Sequence, residues 1–219
     1  MQKKHQMKYF TMLLLVFCLG TTLVSPGLSA QTGQKGDPPP TTQVSPKDVT
    51  IRTVDLETYQ AEALAAQQDK DISWVHGSSI HLELEEPPFT LTHFGFASEV
   101  TIIQTSAGAG NWVHFAIPTA TFVLGAQARL NRVIIFFDSP PNDGAGIDRV
   151  DVWDGANRLL SMPVLFGQAG LEAKSIEFPA PPSVFTGVGI SIHILNCSTP
   201  EFCSTRKIRF VAAGAAFAR

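Results

Sequence analysis

The chain has 219 residues, of which 44% are hydrophobic and only 16% are charged, and its formal net charge is −3. This length suffices for one well-buried domain and hardly for two. The composition excludes a disordered or collagen-like chain. Nucleic-acid binding is disfavoured, because Lys and Arg are not in the excess that neutralises phosphate groups. The sequence therefore predicts one globular domain with no nucleic-acid partner.

The first thirty residues have the pattern of a secretory signal peptide. Three lysines near the start precede an uncharged, largely apolar run over 9–24, and small residues follow at Ser29 and Ala30. The alternative is a transmembrane anchor, for which this run is short, because a bilayer needs about 20 apolar residues. Removal of residues 1–30 leaves 13 basic and 19 acidic side chains. We therefore expect a secreted or periplasmic protein of the cell envelope, with no membrane span after cleavage.

Cysteine usage agrees with export. Cys197 and Cys203 remain after cleavage, and the five residues between them include Pro200, which suits the closed end of a hairpin. A metal site and a redox pair are the alternatives, but the spacing matches neither. The sequence predicts a structural disulfide between these two residues.

Composition divides the remaining chain into three parts. Residues 31–54 are rich in Pro, Gly and Thr, which predicts a flexible tether. Residues 55–71 contain good helix formers with apolar residues near one face, which predicts a short helix. From 72 to 219 the chain consists of short apolar runs bounded by turn residues, without the long helical segments that parallel crossovers need. This pattern predicts an all-β class, a single antiparallel β-sandwich or jelly-roll-like domain with a short N-terminal helix. The predicted strands are 79–85, 91–96, 99–105, 111–117, 130–138, 147–154, 157–161, 174–178, 186–195 and 205–213.

Alternation of apolar and polar residues predicts which side chains point inward. Residues 80–85 have apolar side chains at even positions and polar ones at odd positions, and residues 188–194 follow the same rule. Near the C-terminus Ile208 and Phe210 are predicted to be buried. The run 133–137 is apolar throughout, which is typical of a central strand covered on both faces.

Two predicted strands place tryptophan on the outward-facing side. Trp112 and His114 alternate with inward Val113 and Phe115, while Trp153 shares its side with other polar residues of the same strand. An indole among polar neighbours is typical of a ligand-binding patch. The alternative is that a loop, the predicted helix or a second protomer covers this face, so that the tryptophans belong to a satellite core. The candidate ligand-binding residues are Trp112, His114, Arg149, Asp151 and Trp153.

The sequence contains no strong catalytic or metal motif. Nucleophile elbows and helical His-Glu-x-x-His motifs are absent from the sequence. Paired carboxylates occur, but without a predicted cleft they are interpreted as solvent-exposed charges rather than as the acids of a glycosidase. One loop is rich in oxygen ligands, but Pro, Asn, Asp and Gly are also the residues that turns require. We therefore expect no cofactor, and the balance is against an enzyme. The weak calcium candidates are Asp138, Asn142, Asp143 and Asp148.

Three blocks carry a resemblance to a known family. They are WVHG at 74–77, NWVHFAIP at 111–118 and VDVWDG at 150–155. The chain resembles, over about 73–217, an uncharacterised bacterial domain family of unknown function. The resemblance implies a bacterial source and one compact β domain, and it brings no catalytic residues.

The predicted function is that of an exported, non-catalytic binding module for a carbohydrate or protein ligand. One alternative is an enzyme acting on cell-envelope glycans, through a carboxylate pair or a His/Glu metal site. A second alternative is a purely structural envelope protein. Clustering of four residues in one pocket would favour the enzyme, namely His81, Glu83, His114 and His193.

Overall fold

The computed structural model describes residues 43–54, 72–103, 110–123, 125–141, 144–167, 170–195 and 205–218. Within these ranges the chain forms β-strands and two 3₁₀ turns, Pro46–Asp48 and Gly77–Ser79, and no α-helix. In chain order the strands are β1 (Thr50–Val54), β2 (Ile72–His76), β3 (His81–Leu82), β4 (Phe89–His93), β5 (Ser98–Ile102), β6 (Gly110–Ile117), β7 (Phe122–Val123), β8 (Ala126–Gln127), β9 (Arg129–Ser139), β10 (Gly146–Asp154), β11 (Asn157–Phe166), β12 (Gly170–Glu177), β13 (Val188–Leu195) and β14 (Arg206–Ala218).

The strands form two main sheets and one small hairpin. The seven-stranded sheet has the order β1-β12-β9-β14-β5-β4, and β2 pairs with the second half of the long strand β14. The five-stranded sheet has the order β11-β10-β13-β6-β3, and β7 pairs with β8. The named strands of the described ranges pair antiparallel throughout. This confirms the prediction of an antiparallel all-β chain.

The inner faces of the two sheets share one hydrophobic core. Ile190 and Ile192 of the five-stranded sheet belong to the same buried cluster as Ile135 of the seven-stranded sheet. Phe115 and Phe210, one from each sheet, meet edge to face with their ring centroids 5.8 Å apart. Burial of these apolar side chains stabilises the packing of one sheet on the other, by about 25 cal/mol per Å² of apolar surface.

Alternation correctly predicts the inward sets of β13 and β14. The even-numbered residues of Val188–Leu195 are buried, as are Ile208 and Phe210. Residues 133–137 are buried on both faces of β9, which is hydrogen-bonded on one side to β12 and on the other to β14.

The prediction for residues 80–85 is wrong at its end. Ile80 and Leu82 are buried, but Leu84 is 48% exposed. The cause is that β3 contains only two residues, so the alternation of a strand does not extend to Leu84. The side chain of Asn111 instead holds the backbone of Leu84, accepting from its N–H at 3.2 Å and donating to its carbonyl at 2.8 Å.

The N-terminal part of the chain also differs from the sequence-based division. The predicted tether extends to residue 54, yet Thr50–Val54 forms β1, which pairs with β12 at the edge of the seven-stranded sheet. Composition does not register such pairing, because the hydrogen bonds come from a strand more than a hundred residues away. The predicted signal peptide (1–30), the predicted helix (55–71) and both cysteines of the predicted disulfide lie outside the described residues. Where the chain is described, no helix has the length and apolar character needed to cross a membrane.

Candidate functional site

The outer face of the five-stranded sheet brings the candidate binding residues together. Strand β13 lies between β10 and β6, so that residues far apart in sequence become cross-strand neighbours. Asp151 is paired with Ser191, and Ser191 with His114. Trp153 is paired with Gly189, which has no side chain and therefore leaves open space beside the indole. We call one part of this surface the tryptophan face; it consists of Glu83, Trp112, His114, Asp151, Trp153 and Ser191.

The tryptophan face surrounds a concavity of about 260 Å³. A second and larger depression, of about 530 Å³, adjoins it on the side of His81, Ala116 and Gly189. Trp153 and His114 line both depressions. Aromatic walls with a few polar groups are typical of small-molecule binding sites.

Trp112 is held in place by a chain of side-chain contacts. Its ring centroid lies 5.0 Å from that of His193, and the two rings are tilted by 55°. Nδ1 of His193 donates a hydrogen bond of 2.5 Å to the carboxylate of Asp148. Gly110 lies under this imidazole, since a Cβ there would be 2.6 Å from the His193 ring. The indole is thus oriented from one side and half-buried.

Trp153 and Asp151 share a cationic neighbour, Arg158. The guanidinium of Arg158 lies 5.7 Å from the centroid of the Trp153 ring, a cation–π arrangement. It also lies 3.6 Å from Oδ2 of Asp151, which is beyond hydrogen-bond distance. Asp151 is only 3% exposed. Among the described residues, neither Oδ1 of Asp151 nor Nε1 of Trp153 has a hydrogen-bond partner.

His114 contributes a neutral imidazole to the tryptophan face. Its Nδ1 and the hydroxyl of Ser191 are hydrogen-bonded at 2.9 Å. Burial lowers the pKa of His114 below its usual value, and the nearby His81 lowers it further. The negative charge of Glu83 raises the pKa, but this effect is smaller than that of burial. The ring is therefore uncharged at neutral pH and can either accept or donate a hydrogen bond according to its tautomer.

Glu83 is fixed on the edge of the sheet by backbone contacts. Its N–H donates to the carbonyl of Trp112 at 3.0 Å, just beyond the end of β3. The carboxylate side chain is exposed and lines the smaller concavity together with His114.

Comparison with known proteins assigns the chain to a family. A family model described as a family of unknown function (DUF6623) matches residues 68–218. The chain belongs to the DUF6623 family. The predicted resemblance to an uncharacterised domain family is thereby confirmed. None of the curated proteins matches the DUF6623 chain in sequence.

Solved structures give distant likenesses. TmCBM61 in complex with β-1,4-galactotriose aligns with a TM-score of 0.41 and 12% identity, over 64% of the DUF6623 chain and 89% of the other. The isomalto-dextranase of Arthrobacter globiformis T6, complexed with panose, aligns with a TM-score of 0.35 and 12% identity, over 66% of this chain and 23% of the other. The Agl-KA catalytic domain aligns with a TM-score of 0.29 and 8% identity, over 82% of this chain and 28% of the other. At these scores the likenesses assign neither a ligand nor a reaction to the DUF6623 chain.

Four of the five candidate binding residues line the concavity, and the fifth lies on the same face outside it. Trp112, His114, Asp151 and Trp153 line the concavity, whereas Arg149 is exposed opposite His193. Their role in binding stays a prediction. Ser191 and Arg158 were not among the candidates, and Glu83 was named only for the alternative His/Glu site. Alternation alone places Ser191 and Glu83 outward, but only the strand order shows that they lie beside His114.

Two of the four candidate calcium residues have other partners. Asp138 accepts from Arg209 at 3.2 Å, Asp148 accepts from His193, and Asn142 and Asp143 lie outside the described residues. In the part of the chain that is described, no group of three or more His, Cys, Asp or Glu side chains is arranged to hold a metal ion. The four residues named for a His/Glu site are divided. Glu83 and His114 line the smaller concavity, His81 lines the larger depression, and His193 packs on Trp112.

Proposed function

We propose that this DUF6623 chain is an exported, non-catalytic β-sandwich of jelly-roll type that binds carbohydrate through the tryptophan face. The observation that carries the proposal is the joint lining of one concavity by Trp112, Trp153 and two carboxylates, Glu83 and Asp151. Export rests on the signal-peptide pattern of residues 1–30, and the disulfide between Cys197 and Cys203 belongs to the same proposal.

The chemistry of the tryptophan face suits a sugar. A sugar ring has an apolar C–H face, which can pack on a half-buried indole, and hydroxyl groups around its rim. Those hydroxyls donate to carboxylates and exchange hydrogen bonds with a neutral imidazole such as that of His114. A protein ligand would need a larger and more apolar patch than one concavity of about 260 Å³ with an adjoining depression.

The proposal predicts saturable binding of oligosaccharides that depends on both tryptophans. We expect isothermal titration of the purified protein with neutral gluco-, galacto-, manno- and xylo-oligosaccharides to identify at least one ligand. Trp112→Ala and Trp153→Ala should each weaken its affinity about tenfold or more, because truncation of a buried aromatic anchor typically costs more than 1.4 kcal/mol.

Trp74→Ala is the matched control for this experiment. Trp74 lies on β2 in the other sheet, where its ring packs on Phe136. Its truncation should leave the affinity for the oligosaccharide unchanged. Binding that survives both substitutions on the tryptophan face, or that is lost equally in Trp74→Ala, would contradict the proposal.

Glycan hydrolysis is the second candidate function. It is favoured by one observation, namely that the carboxylates of Glu83 and Asp151 line the same concavity, as an acid and a second carboxylate must in a glycosidase. The same oligosaccharides serve as the test. Release of new reducing ends, abolished in Glu83→Gln, would replace the binding module by the hydrolase.

A further inference from the structure

Two buried polar atoms of the tryptophan face are left without partners. Oδ1 of Asp151 is an acceptor and Nε1 of Trp153 is a donor, and among the described residues neither is hydrogen-bonded. Buried polar atoms are almost always paired, and an exception calls for an explanation such as a function or a missing partner. The side chain of Asp151 is 5% exposed, so that bulk solvent does not readily replace the missing partner.

Asp154 shows what a buried carboxylate on the same strand looks like when its role is structural. It is fully buried, and its two oxygens accept hydrogen bonds from the backbone N–H groups of 185–187 and from the hydroxyl of Thr186, at 2.7 to 3.0 Å. Asp151 has only Arg158 at 3.6 Å, and the side chain of Arg158 is 42% exposed. An ion pair of this length with an exposed partner contributes little to stability, whereas burial of the carboxylate is costly. Asp151 is therefore poorly explained as a stabilising residue.

The two unpaired atoms are placed to act together. Asp151 and Trp153 are two residues apart on β10, so their side chains share one face and their Cα atoms are about 7 Å apart. One accepts and the other donates, and a hydroxyl group is the ligand group that can do both.

We infer that Asp151 is the specificity-determining acceptor of the carbohydrate site. Its Oδ1 accepts a hydrogen bond from a ring hydroxyl of the sugar, and Nε1 of Trp153 donates to an oxygen of the same or the neighbouring hydroxyl. The ligand class is accordingly a sugar with adjacent free hydroxyls, and Arg158, which lies nearest to Oδ2, leaves Oδ1 for the ligand. This inference rests on the proposed function.

The test separates binding from stability. Asp151→Leu removes both oxygens and keeps the branched shape of the side chain, and Asp151→Asn removes the charge. We expect Asp151→Asn to weaken the best oligosaccharide about tenfold and Asp151→Leu to abolish measurable binding, because hydrogen bonds to charged groups are the strong ones. Thermal unfolding should show midpoints equal to or above that of the wild type in both variants, since a buried carboxylate with one long ion pair and an unbonded oxygen has been removed. Asp154→Asn is the control and should lower the unfolding midpoint while leaving the affinity of the folded protein unchanged.

Analogues of the sugar provide a second measurement. Among monodeoxy analogues of the best oligosaccharide, at least one should bind the wild type about tenfold more weakly than the parent sugar does. The affinity for that analogue should not fall further in Asp151→Asn, because the hydroxyl that contacts Asp151 is already missing. Unchanged affinity in both Asp151 variants, or a lowered midpoint without loss of affinity, would overturn the inference and leave the proposed function intact. Failure of the wild type to bind any oligosaccharide would overturn both this inference and the proposed function.

Discussion

Arg209 shows how a single side chain can connect several groups on the outer side of the seven-stranded sheet. One nitrogen of its guanidinium donates to Glu99 at 2.9 Å and another donates to Asp138 at 3.2 Å. The same group lies about 6 Å from the ring centroids of Phe94 and Phe96, which are stacked on each other. Two separate nitrogens of one planar guanidinium make these contacts, and an ammonium group has only one nitrogen.

Arg209→Lys should therefore destabilise the protein although the charge is kept. Lysine presents its donors from a single nitrogen, so it does not span both carboxylates in this geometry, and it loses the planar contact with the two aromatic rings. We therefore expect a decrease of about 1–2 kcal/mol in the free energy of unfolding. Urea denaturation is the measurement. Arg52→Lys is the matched control, because Arg52 is mostly exposed and forms an ion pair with Glu177 at 3.4 Å. Equal effects of the two substitutions would show that the bridging geometry contributes nothing.

At the scale of elements, the second half of β14 depends on a close approach to β2. Gly214 is paired with Trp74, and a Cβ at Gly214 would lie 2.5 Å from the Trp74 ring. The indole therefore lies directly over the glycine, with Phe136 on another side at 5.5 Å between centroids. Only glycine permits this packing of the ring on the strand.

Gly214→Ala should destabilise the β2–β14 pair, because overpacking typically costs 1–3 kcal/mol. We expect a decrease of about 2 kcal/mol in the free energy of unfolding, measured in urea. Gly95→Ala is the control, since a Cβ at Gly95 meets no atom within 4 Å. In the Trp74→Ala background the cost of Gly214→Ala should largely disappear. A cost that persists there would mean that the backbone of β14, and not the ring, opposes the methyl group.

The elements also show how far the sequence predicts the fold and the candidate site. Alternation identified the inner faces of β13 and of the first half of β14 because these segments have one buried and one more exposed face. It failed at Leu84, where the strand ends after two residues, and it did not detect β1, whose partner β12 lies far away in the chain. The outward direction of Trp112 and Trp153 was predictable. Their shared concavity was not, because it depends on β13 lying between β6 and β10.

At the scale of the whole molecule, the two sheets have different outer surfaces. The seven-stranded sheet has a second apolar cluster that includes Ile134, Phe136 and Ala173, with Val54 of β1 packed against it. The five-stranded sheet instead has the polar and aromatic side chains of the tryptophan face. Ionisable groups whose pKa values are shifted occur on both sheets, so the pH dependence of stability reports on the molecule as a whole.

Glu99 and Asp154 contribute to the loss of stability at acidic pH. Burial opposes their ionisation, but the pKa of Glu99 is lowered by hydrogen bonds and charges of Arg209 and Lys207, and that of Asp154 by hydrogen bonds from Thr186 and its neighbours. A lowered pKa means that the unfolded state binds protons first as the pH falls. Both groups therefore contribute stability that is complete above their ordinary values, 4.5 and 3.8, and is lost below them.

His114 should add a separate and earlier step. Burial lowers its pKa from the ordinary value of 6.5, so between that value and its folded pKa the unfolded state again holds more protons. We expect the free energy of unfolding, measured in urea from pH 8 to pH 3, to decrease first below about pH 6.5 and again below about pH 4.5. His114→Gln keeps a polar side chain that does not titrate, and it should remove the first step and retain the second. A first step that persists in this variant, or stability that rises as the pH falls through 6.5, would contradict the burial of a neutral imidazole in the tryptophan face.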